Sequence, residues 1–292
     1  MTFRQTLRQI LASEDLNFLL TNRVPRQALT HLMGKLSQIR SPLWTRFAIR
    51  AWGIFEDLDL ADAQTDRFES LHDFFIRQLR PNARPVDADL YVLSSPCDGI
   101  VGATGQIENG QLFQAKGFNY RLDELIGDDP AAAHWIDGQF VTLRIRSSMY
   151  HRFHAPCNGT LKRVRYFSGD TWNVNPIALK RVEKLFCKNE RALLYVESQE
   201  HPPIALIPVA AILVASIRLH AIDTLLHLRY PGPHLIDCDS SFQKGDELGW
   251  FQHGSTIIML TPPGYQLMPN LSTGSVIRCG EALFRKSTPT VS

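Results

Sequence analysis

Three separated clusters carry residue types able to do chemistry: Pro96-Cys97-Asp98-Gly99, Tyr150-His151-Arg152-Phe153-His154 and His253-Gly254-Ser255-Thr256. The pair Gly254-Ser255 suits attack of the chain on itself. A serine hydroxyl reaches the carbonyl carbon of the preceding residue through a five-membered ring. A glycine there leaves the approach uncrowded and tolerates strained backbone angles. The attack needs a base, and a histidine oriented by a carboxylate is the common solution. Asp98 and His154 can supply that pair wherever the fold brings them together. Each cluster is ordinary alone. Asp-Gly closes hairpins, paired histidines sit on surfaces, and Gly-Ser is turn composition, as at Gly274-Ser275 in the same chain.

Two kinds of element must position these clusters. The first eighty residues read as helices: Phe3, Leu7, Ile10 and Leu11 repeat at helical spacing, as do Leu29, Leu32, Met33 and Leu36. Ser41-Pro42 is a good N-cap and first turn, starting a helix with Trp44, Ala48, Ala51, Trp52 and Phe55 on one face. Ser70 with Asp73 marks another start, before Leu71, Phe74, Phe75 and Leu79. Pro81 and Pro85 then break the pattern. Beyond them come short β-rich runs between turn residues: Leu90–Leu93, Phe140–Ile145, Leu193–Val196, Ile212–Ile217, Thr256–Leu260 and Val276–Arg278. Ile177–Phe186 is the best later helix candidate. The expected class is α+β, with a helical region over 1–85 and a mainly antiparallel β catalytic core over 86–292.

Composition narrows the function classes. The 292 residues are 44% hydrophobic and 21% charged, as in a folded soluble protein, and the net charge of +2 is too small to argue for nucleic acid. The charge is uneven. Residues 1–50 hold eight basic groups (Arg4, Arg8, Arg23, Arg26, Lys35, Arg40, Arg46, Arg50) against Glu14 and Asp15, a net +6, which leaves −4 for the rest. Cys97, Cys157, Cys187, Cys238 and Cys279 are odd in number and scattered, so a reducing compartment is expected. No secretory leader is expected, because charges interrupt the first fifteen residues. The apolar stretch Pro202–Ile217 is shorter than the ~18 residues a spanning helix needs, and it reads as two buried strands.

The ordered motifs resemble those of the phosphatidylserine decarboxylases, a pyruvoyl-dependent family. Besides the three clusters, the chain has Phe74-Phe75-Ile76-Arg77-Gln78-Leu79 leading to Arg84-Pro85, and Gln114-Ala115-Lys116-Gly117-Phe118-Asn119-Tyr120. Asn173-Val174-Asn175, then Phe186 with Asn189-Glu190-Arg191, and the Lys244–Phe251 approach to Gly-Ser-Thr complete the series. The resemblance implies self-cleavage between Gly254 and Ser255 by an Asp98, His154 and Ser255 triad. His154 is the base, Asp98 orients it, and the Ser255 hydroxyl attacks the Gly254 carbonyl. Elimination and hydrolysis would then turn Ser255 into a covalent pyruvoyl group, leaving a long chain 1–254 and a short chain 255–292. That ketone would form a Schiff base with the serine head group and accept the electrons left by carbon dioxide, so no added cofactor or metal is needed. His151 is the candidate for a substrate contact or proton transfer to the carbanion. The implied partner is phosphatidylserine in an anionic membrane, met peripherally at the cytoplasmic face of the cell membrane, with a homodimer allowed.

The chain departs from the family pattern in places. Ser147-Ser148-Met149 stands where the family commonly has Ser-Pro-x-Asp before Tyr-His, which bears on head-group contacts and on His151. Cys97 replaces a frequent alanine, His253 replaces a small or apolar residue, and Val209-Ala210-Ala211 and Val214-Ala215-Ser216 replace glycine-containing versions. The alternative keeps the chemistry and changes the substrate to a related serine-headed lipid or another amino-acid-type substrate. A silent lipid-binding homologue, or a zinc hydrolase using His151, His154 and Cys157 with Cys97 or Asp98, is a more distant reading, since residues three apart on a strand face opposite sides. For docking on a bilayer, the basic N-terminal helices offer attraction and Trp44 and Trp52 offer anchors at headgroup level. The competing role for the same apolar faces is packing on the β core.

Overall fold

The structure is a computed structural model describing residues 13–287 apart from 116–117, 214–215, 229 and 253–254; for Phe55 it describes the backbone only. The helical repeat expected over Phe3–Leu11 lies outside the described residues. Three helices open the described chain, α1 (Glu14–Asn22), α2 (Arg26–Ser37) and α3 (Pro42–Phe55). Ser41 caps α3 by accepting the Trp44 N–H, with Pro42 in the first turn. The short α4 (Leu71–Phe75) starts in a capping box, in which Ser70 and Asp73 satisfy each other's backbone N–H. Leu71, Phe74 and Phe75 form a small core of their own beneath Met33, Ala48, Ile49 and Trp52.

After Pro85 the chain is mainly sheet, with only short helical turns between strands. Eight strands pair in the order Leu235–Phe242, Gly159–Phe167, Arg191–Glu197, Ile204–Val209, Ser255–Thr261, Gln139–Ile145, Gly99–Gln106 and Val276–Ile277, every neighbouring pair antiparallel. A four-stranded sheet orders Thr224–His227, Ser216–Leu219, Glu247–Phe251 and Arg152–His154, and a three-stranded one orders Val92–Ser94, Ala282–Lys286 and Tyr265–Leu267. The α+β class is therefore as expected. The large sheet is buried on both faces. One face, with Leu143, Ile145, Ala210, Ile257 and Met259, packs against Phe153, Ile217 and Phe251 of the four-stranded sheet. The other, with Phe140, Ile207, Val209, Ile258 and Leu260, packs against Trp135, Val174, Ala178 and Phe186.

Two expectations fail locally. Ile177–Phe186 is not one helix: Pro176–Leu179 and Leu185–Lys188 are single turns, separated by residues that follow no helix. Lys184 takes a left-handed φ of 53° there, which a continuous helix forbids. The strand expected over Ile212–Ile217 runs instead over Ser216–Leu219. Leu213, at φ 69°, turns the chain and gives its N–H to the Thr30 hydroxyl of α2.

Candidate active site

Ser255 heads the strand Ser255–Thr261, whose seven residues are all buried. The apolar run Ile257–Leu260 dictates this, since it packs on both faces of the sheet. The strand is clamped between two neighbours: Ser255 lies opposite Ile145, and Thr256 lies opposite both Arg144 and Val209. The Ser255 side chain is wholly buried and its Oγ has no hydrogen-bond partner. A buried hydroxyl without a partner is costly. Its presence at this position marks a group held for something other than stability. The preceding Gly254 and His253 lie outside the described residues.

Backbone pairing gathers the other two clusters around the approach to Ser255. The His154 N–H donates to the Pro96 carbonyl at 2.7 Å, joining the first cluster to the second. Glu247 lies opposite His154 and Trp250 opposite Arg152, while Phe251 N–H donates to the His151 carbonyl at 3.0 Å. Glycine is required in this approach. Gly245 has φ +91°, and a Cβ on Gly249 would collide with the Arg218 carbonyl.

His154 uses both ring nitrogens. Nδ1 lies 2.8 Å from the Gly245 carbonyl, which can only accept, so Nδ1 carries the proton. Nε2 is then the lone-pair nitrogen, and it accepts from the Tyr150 hydroxyl at 2.9 Å. Burial pushes the His154 pKa down, with the Gly245 bond and the Glu247 carboxylate opposing it. The imidazole is therefore a neutral base with a fixed tautomer. Asp98 is held elsewhere. Its Oδ1 accepts from Arg84 Nε at 2.8 Å and from the Cys279 N–H at 2.9 Å, and its Oδ2 accepts from Arg84 Nη2 at 2.6 Å. Thus the fold brings Asp98 and His154 into one neighbourhood without a hydrogen bond between them. The carboxylate reaches the imidazole only through its field.

His151 is fully buried, and its ring reaches the Met149 backbone without a well-formed hydrogen bond at either nitrogen. Its ring meets Phe75 edge-on at 5.7 Å, and Phe75 meets Trp52 in the same way at 5.5 Å. Burial first, then the nearby Arg77, depresses its pKa to about 3. The ring is neutral across the physiological range.

Two concavities reach this region. One, of about 360 Å³, is lined by Arg80, Arg84, Tyr150, His154, Gly245 and Glu247. The other, also about 360 Å³, lies where α1 and α3 face the sheet ends, among Trp52, Glu56, Arg144, Ile145, Arg146 and Asn173. It touches Ile145, the strand partner of Ser255. The turn at Ser147-Ser148-Met149 is held by α3, since Trp52 Nε1 donates to Ser147 Oγ at 3.1 Å and Ser148 Oγ donates to Glu56 at 3.3 Å. Sequence reasoning did not single out Arg84, Tyr150 or Arg144. Tyr150 and Arg84 stand inside quoted motifs, which is the signal that could have found them.

A family profile described as phosphatidylserine decarboxylase matches residues 71–285. A phosphatidylserine decarboxylase proenzyme of Yersinia pestis (strain Pestoides F) is 36% identical over 275 residues, 89% of this chain and 92% of the relative. The proenzyme of the same name from Yersinia pseudotuberculosis serotype O:1b (strain IP 31758) matches with the same identity and coverage.

Proposed function

Since this chain belongs to the phosphatidylserine decarboxylase family, we propose that it is a proenzyme that cuts itself between Gly254 and Ser255 and then converts phosphatidylserine to phosphatidylethanolamine. The observation that carries the self-cleavage is the buried, unpartnered Ser255 hydroxyl at the head of a clamped strand. In this reading Ser255 Oγ bonds to the Gly254 carbonyl carbon, its proton passes toward His154 Nε2, and the Gly254–Ser255 C–N bond breaks as the amide nitrogen gains a proton. The ester so formed loses the Ser255 α-proton and expels the Gly254 carboxylate, leaving dehydroalanine. Water then releases ammonia and leaves a ketone. That pyruvoyl group supplies the electron sink for loss of carbon dioxide. Its position fits the fold, because the precursor side chain is already buried with no competing bond.

The surrounding residues have distinct tasks. Gly245 fixes the His154 tautomer, and Tyr150 stands at the basic nitrogen, able to relay a proton. Arg84 fixes Asp98 by a two-point fork, and the field of Asp98 favours the imidazolium that forms on His154. His151, neutral and buried, is suited to accept or pass a proton once a polar group enters beside it.

Surface chemistry supports a lipid substrate reached from a bilayer. Among the described residues no helix is long and apolar enough to cross a membrane. Instead, α1 exposes Leu19 and Leu20, α2 exposes Leu32, and α3 exposes Leu43 at 79%, Phe47 at 63% and Trp44 at 38%. Arg23, Lys35, Arg46 and Arg50 are exposed around them. One anchor and one basic group named from sequence work inward. Trp52 packs on Phe75 and lines the inner pocket, and Arg26 pairs with Asp170 at 2.6 Å while stacking on Trp172.

Intact-mass analysis tests the reading. Wild-type protein should give fragments 1–254 and 255–292, the smaller with a blocked, borohydride-reducible N-terminus, while Ser255→Ala stays uncut. A single full-length wild-type species without a reactive ketone would overturn it.

A further inference from the structure

Arginines in the interior of this protein are normally matched. Arg84 forks onto Asp98, Arg152 bonds Glu247 and the Ile76 carbonyl, Arg163 bonds Asp129, Arg77 donates to the Phe74 and Ser148 carbonyls, and Arg191 donates to four backbone carbonyls. Arg144 is different. It is half-buried and lines the pocket between the helices and the sheet ends, yet among the described residues its guanidinium makes no hydrogen bond and no ion pair. The neighbouring Arg146 adds to the positive field, and burial and Arg146 together lower the Arg144 pKa. The carboxylate in the lining, Glu56, acts on Arg144 only through its field. A half-buried guanidinium with its fork unengaged in a pocket is suited to receive an anion.

Register places this cation at the strand end that carries Ser255, on the sheet face opposite the Ser255 side chain, and the pocket spans that end because it is lined by both Arg144 and Ile145. Arg144 lies opposite Thr256, and the next residue, Ile145, lies opposite Ser255. Adjacent strands are about 4.8 Å apart, so the pocket begins one strand away from the reacting position. We propose that Arg144, assisted by Arg146, binds the phosphodiester of the substrate lipid while the serine amine is presented at position 255. This rests on the function proposed above and assigns the part of the substrate held in this pocket.

The substrate carries two anions, and catalytic logic separates them. The serine carboxylate leaves as neutral carbon dioxide, so a charge-assisted bond to it would be strongest before the reaction and would raise the barrier. The phosphodiester keeps its charge throughout, so Arg144 grips ground state and transition state alike. Its loss should therefore appear in KM and not in kcat.

The test uses Arg144→Gln and Arg144→Lys in the matured enzyme, with mass analysis first to show that both still yield two chains. Charge-assisted bonds of this kind are worth roughly tenfold to hundredfold in binding. Arg144→Gln should raise KM for phosphatidylserine in mixed micelles by about that factor with kcat nearly unchanged, and Arg144→Lys should fall between it and wild type. Glycerophosphoethanolamine, which has the phosphodiester but no carboxylate, should inhibit wild type and lose that inhibition in Arg144→Gln. L-Serine, which has only the carboxylate, should be affected equally little by the substitution, and inorganic phosphate should compete more weakly than the diester. An unchanged KM overturns the assignment, as does selective loss of L-serine inhibition, or phosphate competing as well as the diester. Where Arg144→Gln fails to mature, calorimetric titration of glycerophosphoethanolamine into uncut Ser255→Ala with and without Arg144→Gln decides, and equal binding overturns it. Failure of wild type to cleave at all would instead sink the underlying function.

Discussion

At the scale of single residues, the site is a set of polar groups whose protons are already assigned. The Gly245 carbonyl forces the proton of His154 onto Nδ1, and the Tyr150 hydroxyl covers Nε2. Burial drives the Tyr150 pKa far up, so the phenol stays protonated and can pass a proton only as it receives one. Tyr150→Phe should therefore slow self-cleavage by about tenfold to hundredfold, at the lower end of what a positioned proton-transfer group contributes. The conversion of full-length chain to two bands during refolding measures it, and an unchanged rate would remove Tyr150 from the relay. The candidate residues of this scale, though not their roles, can be read from the sequence. Ser255, His154 and His151 stand out by type and spacing, and Asp98 by motif. Their bonding was not legible, because Arg84 reaches Asp98 and Gly245 reaches His154 only through tertiary folding. Sequence distance hides such partners, and the Asp98-to-His154 contact it suggested is replaced by a fork to Arg84.

At the scale of elements, capping chemistry and apolar runs were reliable guides. Ser41-Pro42 and Ser70 with Asp73 start helices where their local hydrogen bonding says they should, and Gln139–Ile145, Arg191–Glu197 and Ser255–Thr261 are strands because their apolar residues fill the core. Gly159–Phe167 and Leu235–Phe242 were missed. The first interleaves Lys162, Arg163 and Arg165 with buried residues, and the second alternates exposed and half-buried positions, so neither has a continuous apolar signal. Helix α3 was read as having one apolar face, yet it has two. Ala48, Ile49 and Trp52 face the small core, while Leu43 and Phe47 face outward. The outward pair has a test. Leu43→Glu with Phe47→Glu should weaken binding to anionic vesicles more than tenfold, because two apolar side chains leave the interface and two negative charges enter it. Vesicle sedimentation at low and physiological salt measures this, and undiminished binding would mean that α3 is not the docking element.

At the scale of the whole molecule, two buried titratable groups pull stability down from opposite ends of the pH range. Glu190 is fully buried, and burial pushes its pKa up to about 8 against the opposing side-chain contact with Tyr166. The folded state therefore keeps a proton that the unfolded state releases above about 4.5, so folding stability falls as pH rises through that window. His151 works at the acid end. The unfolded chain takes a proton below about 6.5 that the folded one refuses until about 3, so stability also falls as pH drops. Glu190→Gln keeps the shape and removes the alkaline loss, which is on the order of a few kcal/mol for a shift of this size. Urea unfolding of uncut Ser255→Ala at pH 5 and pH 8 should show a fall in midpoint that the added Glu190→Gln substitution largely abolishes. Parallel curves for the two proteins would contradict it.

The place of the Ser255 strand has one more consequence. Residues 255–261 run between Gln139–Ile145 and Ile204–Val209, and residues 282–286 run between Val92–Ser94 and Tyr265–Leu267. The residues that the proposed cut would release are thus laid through the middle of two sheets. Once severed between 254 and 255, a matured enzyme melted apart would face a two-body search for a central strand, where the uncut chain faces a search within one molecule.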